Sequence, residues 1–498
     1  MPNRITQEEL NSYLWGAAVL LRTHIDAGSY KQYIFPLMFF KRLSDVYDEE
    51  SAKAIETFGD EEAASWDENH KFKIPAGAHW ADVRNTTQDV GESIVRAFRA
   101  IESANIEKLS GIFGEGAWTN KRRLPDRLLK DLLEHFSSKV LSIENCPEDE
   151  FGQGYEYLIK QFADDSGHTA QEFYTNRTVV HLMTELLKPQ SGESVYDPTC
   201  GSAGMLISCI AYLKSKGEEW RNVSLYGQEF NQLSSAMARM NLFLHGIEGF
   251  DIACDDTLKN PAFTEGDRLR TFDIILANPP YSIKQWDRNA FASDKYGRNL
   301  LGVPPQGRAD YAFIQHIIKS LDPENGRCAT LLPHGVLFRA EEASMRTKMV
   351  QMDLVETVIG LGANLFFNSP MEACILICRA KKPASRKGRI QFIDASAQVT
   401  RRNAQSYLED SHIESIARAY FSDEAVESLS AFATTGEVLA NDGSLNIPLY
   451  VRAAENIVVS NESLASDESG RAWGADSSAA RAQRSSVRSL LSDRGNDE

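Results

Sequence analysis

The residues best suited to chemistry form the run Asn278-Pro279-Pro280-Tyr281, which directly follows the apolar segment FDIILA. An exocyclic amine of a nucleobase is a poor nucleophile because its lone pair is delocalised into the ring. An asparagine carbonyl and a backbone carbonyl can each accept one N–H of that amine and so free the lone pair. The prolines stiffen the turn by fixing φ, and the tyrosine ring can stack on an extruded base. The run predicts catalytic residues, although it would also suit a proline-rich turn after a core strand.

A loop of small residues provides a second group of candidates. It lies between a strand-like and a helix-like segment and reads Asp197-Pro198-Thr199-Cys200-Gly201-Ser202-Ala203-Gly204. The glycines let the backbone approach a ligand, and the start of the helix offers free N–H groups. The carboxylate of Asp197 suits a ligand with an ammonium group, and Glu229 ends the next strand as a ribose-binding carboxylate does in such folds. Taken singly, a structural turn and a solvated charge would explain these residues equally well.

Two further groups are consistent with a cofactor pocket. One consists of adjacent residues just before a helix: Glu172, Phe173, Tyr174, Thr175, Asn176 and Arg177. The aromatic rings and the hydroxyl could form a pocket wall, whereas core packing of Phe173 and Tyr174 is the simpler interpretation. The other is Asp256, which could accept a hydrogen bond from an adenine amino group or cap a helix.

The candidates depend on an alternation of strands and helices that begins near residue 166. Short β-rich runs separated by helical patterns cover residues 194–199, 222–230, 271–281, 328–338, 356–361, 373–379 and 389–396. This alternation predicts an α/β fold with a doubly wound, mostly parallel sheet that binds ligands at the carboxyl ends of its strands. Residues 1–165 show helical spacing, as do residues 397–455. Residues 456–498 have the composition of a tail that is disordered or ordered by a partner.

Composition limits the function classes. The chain has 498 residues, with 53 Lys+Arg against 70 Asp+Glu and a formal net charge of −17. A protein that grips DNA alone usually presents a basic face, so any grip on nucleic acid is expected to be shared with a partner. The seven cysteines form no C-x-x-C pair, which argues against a disulfide framework and a common structural zinc site. No apolar run approaches the roughly 18 residues of a membrane helix, so we expect a cytoplasmic protein without bound metal or membrane contact.

The motifs together resemble one family closely. Their order (aromatic segment, glycine loop, acidic strand end, NPPY) is similar to that of S-adenosylmethionine-dependent amino-methyltransferases of DNA. More narrowly, the chain resembles the modification subunit of type I restriction–modification systems over nearly its whole length. The resemblance extends to the segments LWGAAVLLRTHIDAGSYKQYIFPLMFFKRLSDVYDE, GYEYLIKQFA, GRADYAFIQHI, LPHGVLFR and SLNIPLYV. In this family the aromatic segment usually reads Y-T-P-R, whereas Asn176 stands at the proline position here.

The resemblance implies the S-adenosylmethionine-dependent methyltransferase fold. Residues 1–165 would form an N-terminal helical domain, 166–396 the catalytic domain and 397–455 a C-terminal helical extension. The NPPY run would bind the target adenine, and S-adenosylmethionine would lie against the aromatic segment, the glycine loop and the acidic residues at the strand ends. The implied reaction is direct methyl transfer to the N6 amine of adenine in double-stranded DNA. A separate specificity subunit would read the sequence, with a second copy of this chain and a restriction subunit as further partners.

Three alternatives remain open on the residues alone. The N-P-P-Y motif suits any planar amide or amine nitrogen, so the side-chain amide of a protein glutamine is an alternative substrate. A cytosine amine is a second alternative, although asparagine at the first motif position favours adenine by resemblance. The third is a non-catalytic scaffold that retains a cofactor pocket, against which the intact Asn278 and Glu229 argue.

Overall fold

The computed structural model describes residues 4–451 except residue 23 and the segments 166–174, 366–371 and 403–404. Three predicted cofactor residues, Glu172, Phe173 and Tyr174, therefore lie outside the described residues, as does the predicted tail 456–498. The described chain begins with a helical region and continues as one large sheet with helices on both faces.

The N-terminal region is helical, as its residue spacing predicts. Its helices are α1 (Gln7–Leu21), α2 (Lys31–Phe58), α3 (Trp80–Asn85), α4 (Val90–Ala104), α5 (Ile106–Leu109), α6 (Asp126–Ser137) and α7 (Glu148–Asp165). α1 starts at a capping box, in which the side chains of Thr6 and Glu9 each accept a backbone N–H of the other residue. The apolar face of α2 buries Phe35, Phe39 and Phe40 in a core rich in aromatic rings.

The remaining described elements build the sheet and its cover. The strands are β1 (Ser194–Asp197), β2 (Ser224–Glu229), β3 (Phe250–Cys254), β4 (Thr264–Glu265), β5 (Arg268–Leu269), β6 (Ile274–Ala277), β7 (Arg327–Pro333), β8 (Val355–Leu361), β9 (Ala373–Arg379), β10 (Arg389–Ala395), β11 (Thr400–Arg402), β12 (Gln405–Tyr407) and β13 (Ser430–Thr434). The helices are α8 (Arg177–Leu187), α9 (Gly204–Lys216), α10 (Gln232–Leu244), α11 (Arg288–Ala292), α12 (Asp310–Lys319), α13 (Ala343–Gln351), α14 (Asp410–Phe421) and α15 (Thr435–Ala440). Each predicted β-rich run overlaps one of these strands, with β7 and β8 each beginning one residue earlier than predicted, so those predictions are confirmed.

Within the described residues, nine strands form a single sheet in the order β13-β10-β8-β9-β7-β6-β1-β2-β3. All neighbours pair in parallel except β9, which is antiparallel to both β7 and β8, and β13, which is antiparallel to β10. The predicted mostly parallel sheet is therefore confirmed. The chain runs outward from β1 to β2 and β3, then returns to the other side of β1 with β6 and β7. The order of the strands thus reverses between β1 and β6.

The sheet is doubly wound because its strands alternate between two apolar cores. Val195 and Ile274 point into a core that is covered by α8, α9 and α14, whereas Tyr196 and Ile275 point into the opposite core, which is covered by α12 and α13. The helical N-terminal region is not isolated from the sheet, since its core includes apolar side chains of α10.

The C-terminal region differs from its prediction because it also contains three strands: β11 and β12 pair with each other before α14, and β13 lies farther along the chain. α14 and α15 lie within the predicted helical segment 397–455, but β13 forms between them and adds an antiparallel edge strand to the sheet. Its sequence, SAFAT, lacks the strong β-branched pattern of the inner strands. Pairing with β10 decides its conformation, since local preference for a strand is weak and depends on context.

Candidate active site

The predicted candidate loops lie at the reversal of strand order. β1 pairs with β2 on one side and with β6 on the other, all in parallel, so their carboxyl ends meet at one edge of the sheet. Ligands of doubly wound sheets bind in the crevice at such a reversal. We name residues 198–204, which follow β1, the glycine loop, and residues 278–282, which follow β6, the NPPY loop. The two loops therefore flank one crevice.

The glycine loop is shaped mainly by backbone contacts. Gly201 and Ala203 adopt left-handed backbone conformations, with φ of 52° and 63°. The N–H of Cys200 donates to the carbonyl of Gln228 on β2 at 3.0 Å, and Nδ2 of Asn241 on α10 donates to the carbonyl of Ser202 at 2.9 Å. Strand β2 and helix α10 thus hold the loop in place before α9.

Glu229, predicted to bind a cofactor, lies against this loop. Its Oε2 accepts the N–H of Gly201 at 3.0 Å, and its Oε1 accepts the N–H of Asn231 at 2.9 Å. Each carboxylate oxygen can accept more than one hydrogen bond. These bonds orient the carboxylate beside the glycine loop, although Glu229 is not among the residues that line the cleft between the two loops.

The carboxyl of Asp197 is buried, and its burial shifts its pKa. Its side chain is 2% exposed, and its Oδ1 accepts the N–H of Thr199 at 3.0 Å. Burial raises the pKa of this carboxyl to about 8, and the nearby charge of Glu229 adds to the effect. No cationic side chain of the described residues offsets the shift. A cationic ligand would supply the missing counter-charge.

Asn278 faces the glycine loop from the other side of the crevice. Its Nδ2 donates to Oγ1 of Thr175 at 2.9 Å, while its Oδ1 is buried without a hydrogen-bond partner among the described residues. The cleft between the loops is lined by Thr175, Arg177, Asp197, Thr199, Cys200, Gly201, Ser202, Gly204, Met205 and Asn278. Six of the predicted site residues therefore line one cavity with Asn278. Three lining residues, Thr199, Cys200 and Met205, were not predicted to bind a cofactor. Thr199 and Cys200 lie within the sequence motif 197–204, which was the signal available for them.

The rest of the NPPY loop is anchored in the protein. Pro279 is buried, whereas Pro280 and Tyr281 are half-buried. The hydroxyl of Tyr281 is buried, and desolvation raises the pKa of this tyrosine well above its usual value. The hydroxyl end of the ring therefore points into the protein, and base stacking on this ring stays a prediction.

Asn176 and Arg177 have different roles although both were predicted to bind a cofactor. Oδ1 of Asn176 caps α8 by accepting the N–H of Thr178, and its Nδ2 donates to the carbonyls of Leu365 and Ser406 at 3.1 Å each. Asn176 is buried and does not line the cleft. At this position the family usually has a proline, whose ring would stiffen the turn. Here the hydrogen bonds of Asn176 hold the turn instead, so Asn176 has a structural role.

Arg177 lies at the wall of the cleft and connects it to the helical region. Its Nη2 pairs with Oε1 of Glu156 on α7 at 2.7 Å. The guanidinium packs directly over Gly204, where a Cβ atom would overlap it. The glycine at the start of α9 therefore leaves room for the arginine.

The side chain of Asp256 bonds to the adjacent backbone in a segment that forms no helix. Its Oδ1 accepts the N–H groups of Leu258 and Lys259 at 2.9 and 3.1 Å, which makes it the cap of a turn. It does not line the cleft with the glycine loop. The neighbouring Thr257 instead contacts that loop, since its Oγ1 donates to the carbonyl of Pro198.

Comparison with known proteins identifies the family. The family profile described as N-6 DNA Methylase matches residues 147–457, and the profile described as HsdM N-terminal domain matches residues 10–136. The chain is 31% identical to the type I restriction enzyme MjaVIII methylase subunit of Methanocaldococcus jannaschii, over 91% of this chain and 79% of that protein. It is also 31% identical to the HindI methylase subunit of Haemophilus influenzae, over 77% of this chain and 90% of that protein.

A solved structure agrees with these relatives. The methyltransferase subunit of a type I restriction–modification system from Streptococcus thermophilus superimposes with a TM-score of 0.78 at 31% identity, covering 90% of this chain and 100% of that one. The fold and the cleft thus define an S-adenosylmethionine-dependent DNA methyltransferase, and the chain belongs to the N-6 DNA Methylase family. Within that family it is the modification subunit of a type I restriction–modification system and methylates the N6 amine of adenine. The predicted family, activity and cofactor are confirmed.

None of the described helices combines the length and the apolar character needed to cross a membrane. Among the same residues, no group of three His, Cys, Asp or Glu side chains is placed to hold a metal ion.

Proposed function

We propose that the cleft holds S-adenosylmethionine on the glycine loop and the extruded target adenine on the NPPY loop. The observation that carries this proposal is the carboxamide of Asn278, whose Nδ2 is bonded to Thr175 while its Oδ1 is buried and unpaired among the described residues. A buried acceptor without a donor is costly, and it is expected to meet its donor in a ligand. The N6 amine of adenine is a donor of the required kind.

The residues on the other side of the cleft fit the cofactor. Asp197 is a buried carboxyl without a cationic partner, which suits an ammonium group, and Glu229 presents oriented oxygens that suit ribose hydroxyls. Gly201 brings backbone close to the cavity without a side chain. When bound, S-adenosylmethionine supplies an electrophilic methyl group next to its positive sulfur.

The NPPY loop prepares the amine for transfer. Oδ1 of Asn278 and the carbonyl of Pro279 each accept one N–H of the adenine amine, which favours a pyramidal nitrogen with a localised lone pair. The buried Pro279 restricts the backbone because its φ is fixed, so the carbonyl and the carboxamide keep their relative positions. The protein contributes by positioning the amine and excluding water rather than by supplying a strong base.

The chain works in a complex with DNA, since its relatives are named as subunits of type I restriction enzymes. We infer that a separate specificity subunit reads the DNA sequence, that two copies of this chain act on one duplex, and that a restriction subunit joins the assembly. The net charge of −17 favours this division of labour, because an acidic chain gains little non-specific affinity from phosphates.

The test uses the native complex purified through this chain, with labelled S-adenosylmethionine and plasmid DNA from a host without adenine methylation. The DNA is digested to nucleosides, and Asn278→Ala is compared with wild type. We expect label in N6-methyladenine for wild type, none for Asn278→Ala, and nearly unchanged cofactor affinity in both. Asn289→Ala, at an exposed asparagine of α11, serves as the matched control and should keep full activity.

Other outcomes have distinct meanings. Label in a co-purified protein but not in DNA would favour the glutamine alternative. Equal loss of transfer and cofactor binding in Asn278→Ala would assign Asn278 a role in folding. Absence of label in DNA with all partner subunits supplied would contradict the proposal.

A further inference from the structure

The NPPY loop ends in a strained residue. Ser282, directly after Tyr281, has a φ of 50°, which lies in the left-handed region that residues with a Cβ atom avoid. Such a conformation costs roughly 1–2 kcal/mol and persists only where the surroundings impose it. The loop is therefore held from outside, and the holding groups can be identified.

Asp310, the first residue of α12, holds Ser282 with both carboxylate oxygens. Its Oδ1 accepts the backbone N–H of Ser282 at 2.8 Å, and its Oδ2 accepts the hydroxyl of Ser282 at 3.1 Å. The side chain of Asp310 is 1% exposed, so water does not compete for these bonds. Hydrogen bonds to a buried charged group are stronger than bonds between neutral groups.

Arg339 holds Asp310 in turn. Its Nη1 donates to Oδ2 of Asp310 at 2.9 Å, and the arginine belongs to the segment that connects β7 with α13. The glycine at position 335 leaves space for this guanidinium, since a Cβ atom there would overlap it. Nη1 of Arg346 donates to the backbone carbonyl of Arg339 at 2.7 Å and fixes the backbone from which the side chain extends.

These contacts form a continuous support from two elements outside the cleft to the end of the NPPY loop. Neither Asp310 nor Arg339 lines the cavity between the glycine loop and Asn278. A change in either residue is therefore expected to shift the loop without removing a contact to the cofactor. The distance between an acceptor and the amine it holds is critical, since small misplacements of reacting groups cost large factors in rate.

We propose that Asp310 and Arg339 are positioning residues for methyl transfer, which act by holding Ser282 and thereby the acceptors of the NPPY loop. The proposal rests on the proposed function of that loop. Asp310 keeps Ser282 in its left-handed conformation, and Arg339 keeps the carboxylate of Asp310 oriented toward the loop. The pair sets the rate of transfer and leaves the affinity for S-adenosylmethionine unchanged.

The experiment measures turnover of the complete complex on plasmid DNA, cofactor affinity by calorimetry and thermal stability, for the same set of variants. Asp310→Asn keeps the size of the side chain but loses its charge and one acceptor. We expect turnover to fall about 10- to 100-fold, with the Kd of S-adenosylmethionine within about twofold of wild type. Asp322→Asn is the matched control, since Asp322 also accepts two N–H groups in a turn but lies beside Phe272 at the amino end of β6, opposite the end that carries the NPPY loop.

Two further variants separate positioning from general stability. Arg339→Lys keeps a cationic donor and should retain more turnover than Arg339→Ala, although both remove the planar guanidinium. Ser282→Gly keeps the backbone N–H for Asp310 but loses the hydroxyl bond to its Oδ2, so its turnover should fall, though less than that of Asp310→Asn.

The outcomes are decisive. Wild-type turnover in Asp310→Asn at unchanged stability would overturn the proposal, and so would a parallel loss of turnover, cofactor affinity and stability. Asn278→Ala measured beside these variants separates the two hypotheses. Full activity of Asn278→Ala would refute the proposed function, whereas an inactive Asn278→Ala with a fully active Asp310→Asn would refute the positioning role alone.

Discussion

The glycine loop and the NPPY loop follow adjacent parallel strands and face one cleft, yet they are held by different means. The glycine loop is held through its own backbone groups, which bond to the backbone of Gln228 and the side chain of Glu229 on β2 and to the side chain of Asn241 on α10. The NPPY loop is held by side chains from distant parts of the sequence: Thr175 lies 103 residues before Asn278, and Asp310 lies 28 residues after Ser282. In the NPPY loop the groups that are held include the side chains of Asn278 and Ser282, whereas in the glycine loop they are backbone groups.

The packing of the glycine loop can be broken at Gly204. In Gly204→Ala the new Cβ atom would displace the guanidinium of Arg177 from its ion pair with Glu156, and we expect a loss of roughly 1–3 kcal/mol in the free energy of unfolding. Urea denaturation measures this loss, and cofactor affinity should fall with it. Removing the guanidinium in Arg177→Ala/Gly204→Ala should restore part of the stability. A Gly204→Ala chain as stable as wild type would show that the loop is not closely packed.

Arg339, which supports the NPPY loop through Asp310, also lies close to a second acidic side chain, that of Glu342. Its buried carboxyl lies 3.5 Å from Nη1 of Arg339, and burial raises its pKa to about 7. The folded protein therefore keeps Glu342 protonated between pH 4.5 and 7, where the unfolded chain is ionised, so this group lowers stability as pH rises through that window.

Glu342→Gln should remove this part of the pH dependence, on the order of 2 kcal/mol between pH 5 and pH 8. Denaturation at the two pH values measures it. Glu341→Gln, at the exposed neighbouring position, should keep the wild-type dependence. The same slope in Glu342→Gln as in wild type would show that Glu342 is not the group responsible.

The protonation of Asp197 can be tested through the pH dependence of cofactor binding. Its pKa is raised to about 8, so the carboxyl is protonated in the free protein below that pH, and binding of a cation must release its proton. Cofactor affinity should therefore rise as pH increases from 6 to 7, by up to about tenfold. Calorimetry in buffers of different ionisation enthalpy counts the released protons. Asp197→Asn should bind more weakly without this slope, whereas Asp256→Asn should keep it.

The smallest expected effect concerns the hydrogen bond between Thr175 and Asn278. Thr175→Val removes the acceptor of the Asn278 Nδ2 at nearly constant volume, and turnover should fall about fivefold because the carboxamide is less well oriented. Thr175→Ser keeps the hydroxyl and should match wild type. A larger loss of cofactor affinity than of turnover in Thr175→Val would show that Thr175 acts on the cofactor rather than on Asn278.

Much of the fold and of the cleft could be predicted because strand ends and loop composition are local properties. The seven β-rich runs overlap β1, β2 and β6 to β10, and Asn278, Asp197 and residues 201–204 lie at or just after the carboxyl ends of β6 and β1, as predicted. The local sequence pattern does not show which bonds Asn176 and Asp256 make in the folded chain. Only their hydrogen bonds to distant or adjacent backbone groups identify them as caps.

The sequence by itself determined the alternation of strands and helices, the chemistry available at two strand ends and, through its ordered motifs, the family. Hydrophobic periodicity and small-residue motifs each span only a few neighbouring positions, so they can be recognised from the sequence alone. The tertiary structure decided which side chains meet across the cleft: the bond from Asn278 to Thr175, the packing of Arg177 on Gly204, and the support of Ser282 by Asp310 and Arg339. The tertiary structure also decided that β13 pairs with β10 at the edge of the sheet. These contacts join residues that are far apart along the chain, and only the folded backbone brings them within hydrogen-bonding distance.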